Sequence, residues 1–365
     1  MGFAAWGLEL LYFLLGNSKI RKYNGDKLQK INTQRVDMKE KRKVVIATAS
    51  WHQDEVTMLE EAGAAVKIIP DKADDLYRSE INSADGLIVG LPPVTRQLME
   101  NSPRLIIVAR HGVGYDNVDM KAATELGIVA TNTPGVNSDA VAEFTYGLLL
   151  AFIRQIPHSW ELMRGGGWRK PQNLEAVDIR GKTLGIIGLG RIGSRVSKIG
   201  NAFGLKVVAC DPYLTEQDFK NAGAQRVSKE EAIRQADYLT LHTPLSAETR
   251  EMIGAKELAM MKKSALLINT SRGEVVDEDA LINAVNQGLI AGAALDVFKD
   301  EPPKDRKIAT HPRILVTAHL AGLTKEAMYR TFIAAATQVI HALKGERPPY
   351  ALNEPKNPRY LKKGA

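Results

Sequence analysis

Thr183-Leu184-Gly185-Ile186-Ile187-Gly188-Leu189-Gly190-Arg191-Ile192-Gly193 runs from a short apolar stretch into three glycines spaced Gly-x-Gly-x-x-Gly. A strand that ends in such a turn and opens a helix is the context in which this pattern carries a mechanism. The first glycine permits a tight turn, the second lets backbone approach a pyrophosphate, and the third lets helix and strand pack. The helix N-terminus adds N–H donors and a positive dipole for the anion. The next apolar run, Lys206–Cys210, ends at Asp211, 18 residues past Gly193. A carboxylate there accepts hydrogen bonds from the adenosine ribose and repels a 2′-phosphate. No Arg directly follows Asp211 to neutralise it. The stretch therefore predicts a dinucleotide site built on Gly188, Gly190, Gly193 and Asp211, for NAD rather than NADP.

Working outward, short apolar runs alternate with longer amphipathic ones. Val44–Ala47, Val66–Ile69, Gly86–Gly90, Leu105–Ala109 and Ile128–Ala130 form a first series of predicted strands. Thr183–Gly188, Lys206–Cys210, Tyr238–His242, Leu266–Asn269, Ile290–Ala293 and Ile314–Ala318 form a second. Continuous rather than alternating apolar runs imply strands covered on both faces, hence parallel sheets assembled from βαβ units. A helical pattern over Ser138–Met163, interrupted at Pro157 and ending in Gly165-Gly166-Gly167, marks the crossover between two α/β domains. Another helix, Lys325–Leu343, is stopped by Gly345 and Pro348-Pro349 and returns to the first domain. The expected layout is an extension over 1–43, a discontinuous domain over 44–137 plus 323–350, a dinucleotide domain over 138–322, and a tail over 351–365.

The net charge of +7 belongs almost entirely to residues 1–43, where ten Lys/Arg face four Asp/Glu. The remainder holds 39 basic and 38 acidic residues, which argues against a nucleic-acid partner. Phe3–Leu15 is apolar but contains Glu9, follows no basic residue and is too short to span a bilayer. Met38 is an alternative start, and an interfacial helix is the rival reading of the extension. The lone Cys210 forms no intrachain disulfide and fits a reducing, cytoplasmic compartment.

Among seven histidines, His52, His111, His158, His311 and His341 are expected in loops or on polar helix surfaces. His319 follows the strand Ile314–Ala318, where α/β sheets present ligand-binding groups. Arg272 also follows a strand, within Asn269-Thr270-Ser271-Arg272-Gly273, and Glu301 comes after Asp296-Val297-Phe298-Lys299-Asp300. A surface Arg and a solvated Glu are the bland alternatives.

These segments, with Arg110-His111-Gly112-Val113-Gly114-Tyr115-Asp116-Asn117-Val118-Asp119, Asn132-Thr133-Pro134-Gly135, Val141-Ala142-Glu143 and Leu241-His242-Thr243-Pro244-Leu245, occur in an order that resembles the D-isomer-specific 2-hydroxyacid dehydrogenases. Phosphoglycerate dehydrogenases are the nearest pattern, and the match covers about 44–350. The resemblance implies two Rossmann-like doubly wound domains with the active site in the cleft between them. It makes His319 the proton donor, Glu301 its partner and Arg272 the clamp on the substrate carboxylate and carbonyl. It also implies that Gly112, Val113 and Gly114 meet the substrate carboxylate, with Val113 near the nicotinamide. Arg191, Ile192, Thr243, Thr270, Asp296 and Gly322 would line the NAD site, with no metal, and a homodimer would form around 138–163. The chain departs from phosphoglycerate dehydrogenases after His319, reading Leu-Ala-Gly-Leu-Thr. A hydroxypyruvate or glyoxylate reductase is therefore the alternative, and an NADH-sensing corepressor-like protein a remote one. A basic residue near Leu91–Thr95 and Gly112–Gly114, Arg96 or Arg110, would favour a phosphorylated substrate.

Overall fold

The structure, a computed structural model, describes residues 41–168, 176–304 and 306–361. The expected extension lies outside these residues up to position 40, together with the Met38 alternative start and the interfacial-helix reading.

Strands β1 (Arg42–Ala47), β2 (Ala64–Ile69), β3 (Gly86–Val89), β4 (Ile107–Arg110) and β5 (Val129–Thr131) form one sheet in the order β2-β1-β3-β4-β5. Strands β6 (Thr183–Ile187), β7 (Lys206–Cys210), β8 (Gln225–Arg226), β9 (Tyr238–Leu241), β10 (Leu266–Asn269), β11 (Gly292–Leu295) and β12 (Ile314–Val316) form a second, ordered β12-β11-β10-β9-β6-β7-β8. Pairing between neighbours is parallel throughout. Both orders reverse direction, at β1/β3 in the first sheet and β6/β9 in the second. Such switch points open a crevice at the carboxyl ends of the strands.

The central strands explain the continuous apolar runs, since every residue of β3, β9, β10 and β11 is buried. Helix Lys325–Leu343 packs Ala335, Ala336 and Val339 on the first sheet beside Val44, Ile46 and Ile107, returning the chain to its first domain. The predicted long helix divides into Ser138–Ile153 and Ile156–Arg164. Gln155 between them is left-handed at φ 53°, and Pro157 falls in the first turn of the second piece, where its missing N–H leaves no bond unmade.

Most strand ends shift by one or two residues from their expected bounds, and three departures are instructive. β11 starts two residues later than Ile290, because the apolar run continues through Leu295 and pairing of Leu266 with Gly292 sets the register. β8 was not predicted; it is two exposed residues at the sheet's edge, with no apolar pattern to betray it. Residues 351–361 are no free tail. Ala351 pairs antiparallel with Thr131, Leu352 N donates to Ala130 O at 2.8 Å, and Arg359 Nη1 donates to the carbonyls of Ser102, Pro103 and Leu105.

Asp85 ties the entry of β3 to that of β1. Its fully buried carboxylate accepts from Lys43 N at 2.7 Å, Arg42 Nη1 at 3.0 Å and Arg104 Nη2 at 3.0 Å. Asp85→Ala removes the acceptor these donors share, and chemical denaturation should show a loss of about 1–3 kcal/mol.

Candidate active site

At the β6 turn the glycines are dictated by space. Gly188 is left-handed at φ 89°, and a Cβ there would lie 2.6 Å from His242 O. A Cβ on Gly193 would lie 2.1 Å from Gly188 O, whereas one on Gly190 would meet nothing within 4 Å. The turn is therefore closed on the protein side and open at Gly190, which caps helix Arg191–Ala202. Asp211 Oδ2 accepts from Leu189 N at 2.9 Å and Oδ1 from Tyr213 N at 3.1 Å, fixing the carboxylate beside the turn. Thr243, after β9, has a buried hydroxyl without a hydrogen-bond partner. An open glycine at a helix N-terminus, a fixed carboxylate and an orphaned hydroxyl across one switch point fit a dinucleotide. Arg191 is exposed beside Gly135, Ile192 packs its side chain against the core, and Thr270 Oγ1 lies 3.2 Å from Thr145 Oγ1.

His319 Nδ1 lies 2.6 Å from Glu301 Oε2, and Glu301 Oε1 accepts from Phe298 N at 3.0 Å. Burial would raise the Glu301 carboxyl, but the His319 bond and charge, the Phe298 N–H and the Arg272 charge together hold it below the usual carboxylate range. His319 adopts a left-handed φ of 52°, rare for a residue with a Cβ and characteristic of sites held in place by their surroundings. What holds it is Asp296. This fully buried residue accepts His319 N at its backbone carbonyl at 2.8 Å. Its carboxylate takes Leu320 N at 2.8 Å, Ala321 N at 2.9 Å and the Thr317 hydroxyl at 2.6 Å. Asp296, expected to line the NAD site, is thus the brace of the histidine loop. Gly322 closes the same loop against Asn137, with 2.8 Å between its would-be Cβ and Asn137 Nδ2.

Arg272 crosses the cleft. Its Nε donates to Asp116 Oδ2 at 2.8 Å, and its guanidinium lies where a Cβ on Gly114 would be, 1.4 Å from Nη2. Gly112, at φ 148°, leaves room for the Arg110 guanidinium beneath it, and Val113 O accepts from Asn132 Nδ2 at 2.7 Å. The cleft thus brings Arg272, Glu301, His319 and the Gly112–Gly114 turn to one place. Asp116 was missed as a partner of Arg272, because nothing local signals a pair 156 residues apart.

Arg96 is not in the cleft cluster; it pairs with Glu100 and Glu125 on the protein surface. Arg110 is. Burial, then the neighbouring Arg272, lower its pKa to about 10 against Asp71 and Asp116, and it donates to His111 O. His111, expected in a loop or on a polar surface, is instead stacked on Phe332 at 4.9 Å, and burial with Arg110 lowers it to about 3. Burial likewise lowers His242 to about 3, with Nε2 3.0 Å from Thr240 Oγ1. Both imidazoles are neutral near neutral pH.

Residues 146–321 match the D-isomer specific 2-hydroxyacid dehydrogenase, NAD binding domain. A D-3-phosphoglycerate dehydrogenase of Methanocaldococcus jannaschii is 38% identical over 86% of this chain and 60% of its own length. A glyoxylate reductase of Aeropyrum pernix is 41% identical over 75% of this chain and 84% of its own. The chain thus spans about three fifths of the first and most of the second. Among solved structures, a D-lactate dehydrogenase from Aquifex aeolicus complexed with NAD and lactic acid superposes with a TM-score of 0.76 at 29% identity, covering 84% of this chain and 96% of that one.

Gly193→Ala forces the β6 turn apart, and fluorescence titration should show NADH binding weakened at least about tenfold.

Proposed function

Because the chain belongs to the D-isomer-specific 2-hydroxyacid dehydrogenases, we propose that it is an NAD-dependent oxidoreductase interconverting a D-2-hydroxy acid with its 2-keto acid, at a site formed by His319, Glu301 and Arg272. The observation that carries this reading is the 2.6 Å contact between His319 and an ionised Glu301, on a loop that Asp296 locks in place. When bound, the dinucleotide would supply the hydride that reduces the carbonyl carbon. Negative charge then builds on the carbonyl oxygen, where the His319 imidazolium delivers a proton. Glu301 stabilises the imidazolium before transfer, and Arg272 steadies the oxygen and the substrate carboxylate by charge-assisted hydrogen bonds. Backbone of Gly112–Gly114 receives the carboxylate from the opposite wall. Gly188, Gly190, Arg191, Ile192, Gly193, Asp211, Thr243, Thr270 and Gly322, with Val113, would hold the cofactor.

A phosphorylated substrate is the less favoured reading. Arg96 is committed elsewhere, and the cleft's Arg110 and Arg272 are matched by Asp71 and Asp116. One substrate carboxylate can join this balanced set; a further dianion would stand unpaired in a half-buried site. The site thus supports an unphosphorylated acid, in the manner of a hydroxypyruvate or glyoxylate reductase.

The working unit we propose is a cytoplasmic homodimer. Helix Ile156–Arg164 buries no residue and exposes Ile156, Trp160 and Met163, with Trp168 beyond it, an apolar surface suited to a second copy. Among the described residues no helix is long and apolar enough to cross a membrane.

His319→Ala should lower kcat for keto-acid reduction by about 10²–10⁴. Glu301→Gln removes the carboxylate partner of His319, and steady-state assays should show kcat lowered in both directions. Sedimentation should give twice the 40.0 kDa chain mass, and Trp160→Asp should shift the population toward monomer.

A further inference from the structure

The return helix Lys325–Leu343 begins just beyond the His319 loop, where Thr324 caps it by accepting Ala327 N at 3.1 Å. Phe332 lies eight residues past that cap, about 12 Å along the helix axis, and is buried. Two imidazoles stack on its ring. The His111 centroid lies 4.9 Å from that of Phe332 at an interplanar angle of 28°, and the His52 centroid lies 6.1 Å away at 25°. His52 also meets Tyr329 edge-on at 5.1 Å and caps the helix Gln53–Glu61, its Nδ1 accepting Asp54 N at 3.1 Å. The Tyr329 hydroxyl donates to Asp54 Oδ2 at 2.9 Å. Aromatic side chains of the return helix thus grip the loop after β1 and the loop after β4 together.

His111 directly precedes the Gly112–Gly114 turn. Its backbone N donates to Val89 O at 2.8 Å, and Gly112 O accepts from Thr133 N at 3.0 Å, so the neighbouring strand ends hold the main chain up to the turn. The His111 ring brings no charge, since burial and Arg110 push it down to about 3, and its buried Nε2 makes no hydrogen bond among the described residues. Packing on Phe332 is what fixes the ring. We propose that Phe332 is a positioning residue that, through the stacked His111 ring, seats the Gly112–Gly114 turn relative to the His319 loop. The inference rests on the 2-hydroxyacid dehydrogenase reading above and names a residue that serves it without touching the substrate. One end of the return helix meets the loop that carries the proton donor, and its flank carries the ring that seats the carboxylate turn. A flexible aliphatic side chain at 332 lets His111 and the turn shift, which misaligns the backbone donors toward the carboxylate. That contact is made in ground and transition states alike, so its loss falls on KM.

The test measures KM and kcat, with the faster of glyoxylate and hydroxypyruvate, in the full chain and in its Phe332→Leu, His111→Leu and His111→Phe variants and the Phe332→Leu/His111→Leu double variant. Circular dichroism checks folding, and fluorescence reads NADH binding. Phe332→Leu and His111→Leu should each raise KM about tenfold, with kcat and NADH affinity within about threefold of the native chain. The double variant should show about the same tenfold rise rather than a hundredfold one, because both substitutions remove one stack. His111→Phe keeps a ring on Phe332 and should stay within about twofold of the native KM. An unchanged KM in the folded single variants, multiplied effects in the double variant, or a His111→Phe variant as impaired as His111→Leu overturns this inference while leaving the dehydrogenase reading intact. Should Phe332→Leu fail to fold, the contrast between His111→Leu and His111→Phe decides, since only the second retains the stack. If the native chain binds NADH but reduces no 2-keto acid, the dehydrogenase reading itself fails and this inference falls with it.

Discussion

Parallel pairing puts the carboxyl ends of all strands in a sheet on one edge, and the functional geometry of this chain depends on that constraint. The two sheets meet along those edges. Arg272, three residues past β10, lies on Gly114 and pairs with Asp116 in the loop after β4. Gly322, beyond β12, packs on Asn137, beyond β5. Each chemically active side chain therefore hangs from a short loop whose root is a buried strand, and positional precision is inherited from the sheets. The strain of a left-handed His319 is tolerable for the same reason. Asp296, directly after β11, supplies acceptors to four donors of the loop that carries the histidine.

Much of this was legible in the residues. Buried parallel strands read as continuous apolar runs, and the β6 glycines announced a turn that only glycine can build. His319, Arg272 and Asp211 were singled out because each follows such a run. What stayed hidden depends on tertiary contact. No local pattern reveals that Arg272 is tied to Asp116, or that Asp296 faces the histidine loop, because the partners meet only once both domains are folded. The register of β11 was ambiguous for a different reason. Ala and Gly over 291–294 prolong the apolar run without marking its ends, and only pairing with β10 sets them. The two-residue β8 owes its strand geometry to β7 alone.

Charge arrangement separates two kinds of basic residue that look alike in sequence. Arg96 and Arg110 were equal candidates for recognising a second anion. Arg96 lies on the surface among glutamates, and Arg110 is buried beneath Gly112, donating to the backbone carbonyl of His111. Arg110 supports the Gly112–Gly114 turn from below, while Asp71, its counter-charge, holds the Leu91 turn. Cation, anion and the two turns form one connected unit.

The most direct measurement of the central claim follows the hydride itself. Reduction of 2-oxobutyrate with NADH dideuterated at C4 should give D-2-hydroxybutyrate carrying one deuterium at C2, by chiral chromatography and mass spectrometry. An L product, or a product without the label, would contradict the account.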